Sequence, residues 1–352
     1  MMALALPLAL TLAGTGRAHA QVVHGELVDS GTARPVSAAL VEVLSDADSV
    51  IARAISDSAG RFSASTGSPG IYHLRVRHIG FRSLQTTARS LGAGEAVEWR
   101  VIVNALPTQL AAVEVEGATA CPATGPLDQA TSDVWSNAVS ALLLAVVYRE
   151  QPGMFVRVRI TTRDVSASSG RALSRSEAVR EEVASEVFRG PDPDSLARFG
   201  YIRTAADGTS YYAPDAAVLS SDSFARTHCF TLVPDRRHKH DGIGLSFTPT
   251  PGDSLAGVRG VLWLDRRTSE LRSMEFTFTK LPENASSTVS LGGRIDFEHL
   301  ASGMWLVRHW EFRMPLALAR HRAMVNGTAD STAKYYYTVS VFREESVDLL
   351  AP

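Results

Sequence analysis

The strongest constraint on this chain is the alternation of apolar residues between Val22 and Leu84. Val41 and Val43, then Phe62, then Tyr72, Leu74 and Val76 occupy alternate positions of their runs, the period that puts side chains on one face of a strand. Between the runs lie Asp29-Ser30-Gly31, Asp57-Ser58-Ala59-Gly60 and Gly67-Ser68-Pro69-Gly70, clusters that favour tight turns. Short strands with one apolar face are buried by stacking one sheet on another, so this stretch reads as a small β-sandwich. Glu98–Val103 supplies a last strand, and the module is expected to end near Val115, giving a first domain over 21–115.

The order G-x-L-x-D-x-G-x-x-x-P from Gly25, S-D-S-A-G-R-F from Ser56 and G-x-Y-x-L-R-V-R-x-I-G-F from Gly70 resembles the carboxypeptidase regulatory-like domain. That resemblance implies a seven-stranded, Greek-key, transthyretin-like sandwich of bacterial envelope proteins. It covers roughly a quarter of the chain and speaks for a fold rather than a reaction. In relatives attached to outer-membrane receptors, a similar tail precedes a plug and barrel. Too few residues follow Val115 for a receptor barrel of about 22 strands with about 10 residues each.

The compartment is read from the ends and the cysteines. Met1–Ala20 has an apolar run, Ala3–Ala13, and a small-x-small site at Ala18-His19-Ala20, the layout of a signal peptide over 1–20; no lipobox cysteine follows it. Cys121 and Cys229 are the only cysteines, and an even count in an exported chain points to one disulfide, Cys121–Cys229. The expected location is periplasmic or secreted. A formal net charge of −2 argues against a nucleic-acid partner. No transmembrane span is expected after the leader, because the longest apolar run, Ala138–Tyr148, falls short of about 20 residues.

Gly117–Thr131 has linker composition, placing a linker over 116–132 and a second β-rich domain over 133–352. A helix is predicted at Val134–Glu150, with Asp133 as N-cap and an apolar stripe through Trp135, Val139, Leu142 and Val146. Strands follow at Phe155–Ile160, Val261–Asp265, Glu270–Phe278, Gly293–Leu300, Trp305–Arg313 and Tyr335–Phe342, with turns at Ala301-Ser302-Gly303 and Asn326-Gly327. Leu173–Phe188 is open between helix and strand. The fold expected for the whole chain is mainly β: the N-terminal sandwich plus a curved antiparallel sheet, half-barrel-like, with one long helix across it. The W-L-D-x-x-T-x-E-L hairpin at Trp263–Leu271 resembles lipoprotein-sorting half-barrels, and the two-domain layout resembles a group of exported proteins without known activity.

Catalytic patterns are sparse. There is no H-E-x-x-H, no G-x-S-x-G elbow and no phosphate-binding glycine loop, so no catalytic residue, cofactor or peptidase activity is assigned. Ser331-Thr332-Ala333-Lys334 matches S-x-x-K by chance, since a strand rather than a helix follows. His238 and His240 form a weak metal candidate, opposed by the cationic Arg236, Arg237 and Lys239. Asp215, Asp222 and His228, in and beside the ornate stretch Tyr211–Phe224, are the residues a hydrolase would use. Trp99, Trp263, Trp305 and Trp310 invite a carbohydrate-binding reading if exposed and a core reading if not. The expected function is a non-catalytic envelope protein acting through an envelope-protein partner, an apolar ligand or a glycan.

Overall fold

The computed structural model describes residues 21–106, 128–205, 208–235, 242–282, 290–300, 303–322 and 335–351, without side chains at 317–322 and 335–338. The predicted leader, Cys121, His238, His240, Ser331–Lys334, the Asn326-Gly327 turn and most of the predicted linker lie outside the described residues.

The molecule is mainly β. Its N-terminal part has strands β1 (Val22–Asp29), β2 (Leu40–Ser45), β3 (Val50–Ile55), β4 (Arg61–Ser65), β5 (Gly70–Arg77), β6 (Leu84–Gln85), β7 (Arg89–Leu91) and β8 (Ala96–Val103). One sheet runs β4-β1-β8; the other runs β3-β2-β5-β6, with β7 also on β5. The first and last strands pair in parallel, from Val22 opposite Ala96 to Asp29 opposite Val103. Two short strands, β6 and β7, share one edge, so the strands number eight rather than seven. The alternating residues meet between the sheets: Val41, Val43, Phe62, Leu74, Val76 and Trp99 are all buried in one cluster. The Asp57 turn closes because the Asp57 carboxylate accepts from the N–H groups of Ala59 and Arg61, each at 2.9 Å.

Strand β2 buries both faces. Its outward Leu40 joins the core of the C-terminal half, and its outward Glu42 is only 2% exposed. The Glu42 carboxylate is met by Arg53 Nε at 3.2 Å, Arg75 Nε at 3.0 Å and Arg77 Nε at 3.5 Å. Three guanidinium groups around one carboxylate satisfy a charge that burial would otherwise penalise heavily.

Helix α1 spans Gln129–Arg149 and starts five residues before the expected Val134. Asp128, not Asp133, is the N-cap: its carboxylate accepts from Thr131 N–H at 3.0 Å and from the Thr131 hydroxyl at 2.6 Å. The expected linker therefore ends inside a helix. By length and composition α1 is apolar enough to cross a bilayer, but 61% of its apolar window is buried within the fold. Asn137 Oδ1 accepts from Gly80 N–H of the sandwich at 2.8 Å.

The C-terminal sheet uses β9 (Phe155–Ser166), β10 (Ala172–Val183), β13 (His228–Pro234), β14 (Gly242–Pro249), β15 (Val258–Asp265), β16 (Leu271–Phe278), β17 (Gly292–His299), β18 (Trp305–Arg322) and β19 (Tyr335–Ala351). Between β10 and β13 lie α2 (Pro193–Phe199), a hairpin of β11 (Ile202–Ala205) and β12 (Gly208–Tyr211), α3 (Ala216–Leu219) and α4 (Asp222–Thr227). The sheet order is β10-β9-β19-β18-β17-β16-β15-β14-β13, every neighbour antiparallel, and the sheet is open. Helix α1 lies against β13 to β16 and β18. The undecided Leu173–Phe188 resolves as strand β10 followed by a single 3-10 turn at Ala184–Glu186.

Candidate functional site

Pairing carries side chains across the sheet in rows, and neighbouring rows face opposite ways. One row runs Phe247, Gly260, Phe276, Gly293, Phe312 through β14 to β18. The three phenylalanines are buried in the core that contains α1. A Cβ on Gly293 would stand 2.2 Å from the Glu311 carbonyl and 2.9 Å from the Phe276 ring; one on Gly260 would stand 2.6 Å from the Phe247 ring. The rings take the space the glycines leave, and the apolar row closes tightly.

The neighbouring rows face the other way and are charged. Val261, Glu275, Arg294 and Glu311 pair across β15 to β18, and Gly292, Arg313, Glu344 and Arg163 pair across β17, β18, β19 and β9. Arg294 Nη1 donates to Glu275 at 3.0 Å and its Nε to Asp296 at 2.8 Å. Arg313 Nε donates to Glu344 at 2.9 Å, and Arg163 lies 3.6 Å from the same carboxylate. These groups border a cleft of about 1040 Å³ that draws its lining from β9 and from β14 to β19. The lining holds four arginines (163, 259, 294, 313) and four glutamates (275, 311, 344, and Glu345 from the Phe312 row), so it is electrically balanced, with Phe247, Phe276, Phe312 and Phe342 beside them. The side chains of the cleft ion pairs keep between 24% and 44% exposure, so solvent and ligand reach them.

His309 stands two residues along β18 from Glu311. Glu311, 3.8 Å from Nε2, and Asp348, 2.7 Å from Nδ1, both favour the imidazolium and push its pKa up to about 9. The same contact with His309 holds the Glu311 carboxyl below its ordinary range.

The residues a hydrolase would use are committed elsewhere. The Asp215 carboxylate caps α3 through Val218 N–H at 2.9 Å, accepts from Gly190 N–H at 2.9 Å and pairs with Arg149 at 2.9 Å. Asp222 sits in the first turn of α4. His228 is buried, stacked on Phe224, with Nδ1 3.1 Å from the Phe224 carbonyl and Nε2 3.1 Å from the Val258 carbonyl. Burial pushes its pKa down, partly offset by those carbonyls. Neither ring nitrogen faces a substrate. Among the described residues, no group of three or more His, Cys, Asp or Glu could hold a metal ion.

Of the four candidate tryptophans, Trp263 on β15 is half-buried and lies off the core row, and the other three pack into or against a core. Trp99 and Trp305 are 2% and 3% exposed, and Trp310 packs against the α1 core. The space beneath α1 is filled by its core; the cavity beside the α1 C-terminus, lined by residues such as Met154, Val156 and Leu306, measures about 40 Å³, room for little more than a water. An apolar ligand has no comparable space there. The large cleft is bordered by residues of both phases, Phe247, Phe276 and Phe312 as well as Arg294, Arg313 and Glu344, and sequence reading missed it. The only signal was the Arg/Glu alternation within each strand, which does not say that seven strands pool it.

Strands β1 to β8, with the Asp57 turn and the buried face of Tyr72, Leu74 and Val76, carry the motifs that raised the family resemblance. Residues 22–104 match the family model of the carboxypeptidase regulatory-like domain. That module is regulatory and non-catalytic. Comparison with curated proteins gave no match. Among solved structures, catechol 1,2-dioxygenase from Pseudomonas arvilla C-1 is similar at 13% identity over 26% of this chain and 54% of its own, TM-score 0.20. The TIE protein of Bacillus anthracis is similar at 8% identity over 91% of this chain and 48% of its own, TM-score 0.23. The major pilin subunit of Bacillus cereus is similar at 8% identity over 92% of this chain and 84% of its own, TM-score 0.20. The chain spans about half the length of the dioxygenases it matches. Likeness at these scores identifies no activity.

Proposed function

We propose that this chain is a non-catalytic protein of the cell envelope, periplasmic or secreted, whose C-terminal sheet binds a polar, extended ligand of glycan type in the charged cleft. The cleft carries this reading: about 1040 Å³ of space, lined from seven strands by equal numbers of arginine and glutamate. A ligand of one strong charge would meet as much repulsion as attraction there. A neutral, hydroxyl-rich chain meets many fixed donors and acceptors, with Ser246, Thr248 and Thr277 adding hydroxyls to the same lining. The Arg–Glu pairs hold one another in place, so little side-chain entropy is lost when a ligand arrives.

The test is retention on insoluble envelope polysaccharide and titration calorimetry with soluble fragments of it. Wild-type chain is retained, and Arg294→Ala and Glu344→Gln each weaken binding about tenfold, the effect of one lost charge-assisted hydrogen bond. Unchanged binding in both variants would place the ligand elsewhere. The envelope reading also carries the Cys121–Cys229 bridge, and non-reducing mass spectrometry of exported protein is expected to find no free thiol.

A further inference from the structure

We propose that the chain forms a twofold dimer by antiparallel pairing of β10 with β10 of a second copy, joining two nine-stranded sheets into one. This rests on the sheet edge and not on the ligand assigned to the cleft. Strand β10 ends the sheet, and among the described residues β9 is its one hydrogen-bonding partner. It is 12 residues long and exposed on both faces along nearly its whole length. An open edge of that length carries a row of unpaired N–H and C=O groups, a template for another strand.

The edge also carries exposed apolar side chains among its charges. Leu173, Val179 and Val183 are 55%, 47% and 41% exposed, and Phe155, paired with Val183, is 61% exposed. Glu177 of β10 pairs with Thr161, which lines the cleft, so Val179, Val183 and Phe155 share the cleft face with it, while Leu173 stands at the bulge between Ala172 and Ser174. A long open edge bearing Val179, Val183 and Phe155 would be an aggregation hazard unless it is covered.

The charges say what covers it. Antiparallel pairing centred on Ala178 sets Leu173 opposite Val183 of the second copy, Arg175 opposite Glu181 and Glu177 opposite Val179. On the other face it sets Ser174 opposite Glu182 and Ser176 opposite Arg180. Symmetry repeats every pair, and no like charges face each other. Centring the pair on Val179 instead sets Glu177 against Glu181, and centring it on Glu177 sets Leu173 against Glu181. A register that moves by one residue sets the Val179 and Val183 face of one copy against the opposite face of the other. One register avoids like-charge pairs and its neighbours centred on Val179 and Glu177 do not, as expected of a strand that pairs with itself. The twofold axis stands perpendicular to the sheet, so both clefts open on the same side and the dimer presents them as one continuous surface.

Light scattering on the purified full chain is expected to give twice the 37.8 kDa chain mass. Arg175→Glu and Glu181→Arg each weaken the dimer about tenfold or more, because two cross-strand pairs become repulsive. The double variant Arg175→Glu/Glu181→Arg restores it. A monomeric wild-type chain overturns the proposal. So does a dimer indifferent to both single reversals, or a double variant as weak as the singles although its circular dichroism is native. Slow amide exchange along β10 in a monomer overturns it too, since the same chain would then fill its own edge. Ligand retention by a monomeric variant separates failure of the dimer from failure of the cleft.

Discussion

The two faces of the nine-stranded sheet are built from the same strands and differ by one residue of phase. On the face under α1, Phe247, Phe276 and Phe312 sit over Gly260 and Gly293 with no room to spare. On the other, Arg294, Arg313, Glu275 and Glu344 form half-exposed pairs around open space. The difference lies within the single strands β16, β17 and β18: both sets border the cleft, but one is buried in the core and the other keeps half-exposed charges, so the two should differ in what they contribute to stability.

The sharpest way to break that comparison is one substitution on each face. Phe276→Ala removes a ring that is 3% exposed and is expected to cost about 3–5 kcal/mol in urea denaturation. Glu344→Gln is expected to cost less than about 1 kcal/mol, because its partners Arg313 and Arg163 are more than 40% exposed. Similar losses at both would mean that the faces are not divided in this way.

Glu42 shows what the same ion-pair chemistry does when it is closed off. Its carboxylate is 3% exposed among Arg53, Arg75 and Arg77, and Glu42→Ala leaves buried guanidinium charge unanswered, an expected loss of about 3 kcal/mol or more. A loss as small as that of Glu344→Gln would show that water reaches this cluster.

Gly293→Ala tests the tight face from the opposite direction, by adding an atom instead of removing several. With the Glu311 carbonyl 2.2 Å from the new Cβ, strands β17 and β18 must separate, at a cost of about 1–3 kcal/mol. The smallest effect expected is a pH dependence of opposite sign at two histidines. His309, with its pKa raised to about 9, stabilises the fold fully below pH 6.5, and that contribution fades as pH rises through about 9. His228, depressed by burial, contributes fully above 6.5 and loses that contribution on acidification. His309→Gln should flatten the alkaline slope alone; an unchanged slope would remove the Glu311 and Asp348 contacts as its cause.

The sandwich was legible because Val41, Val43, Phe62 and Leu74 alternate and because Asp57 marks its turn with a carboxylate that can bond only locally. The helix was legible from its stripe, but not its start, since Asp128 and Asp133 are equivalent until Thr131 is seen donating to the first. Strand β10 was ambiguous for a physical reason: a strand exposed on both faces has no apolar period to announce it. The turn-and-helix segment around Asp215 and His228 drew attention as chemistry, and its polar groups proved to be spent on caps and carbonyls. The cleft was least legible, because its lining comes from seven strands scattered between Thr161 and Ser346 and only pairing brings them together.

The parallel contact of β1 with β8 has a mechanical consequence. The chain enters the sandwich at one end of this pair, at Val22, and leaves it at the other, beside Val103. Tension between the two ends therefore tries to slide one strand along the other, loading every rung of the ladder together rather than peeling them off in turn.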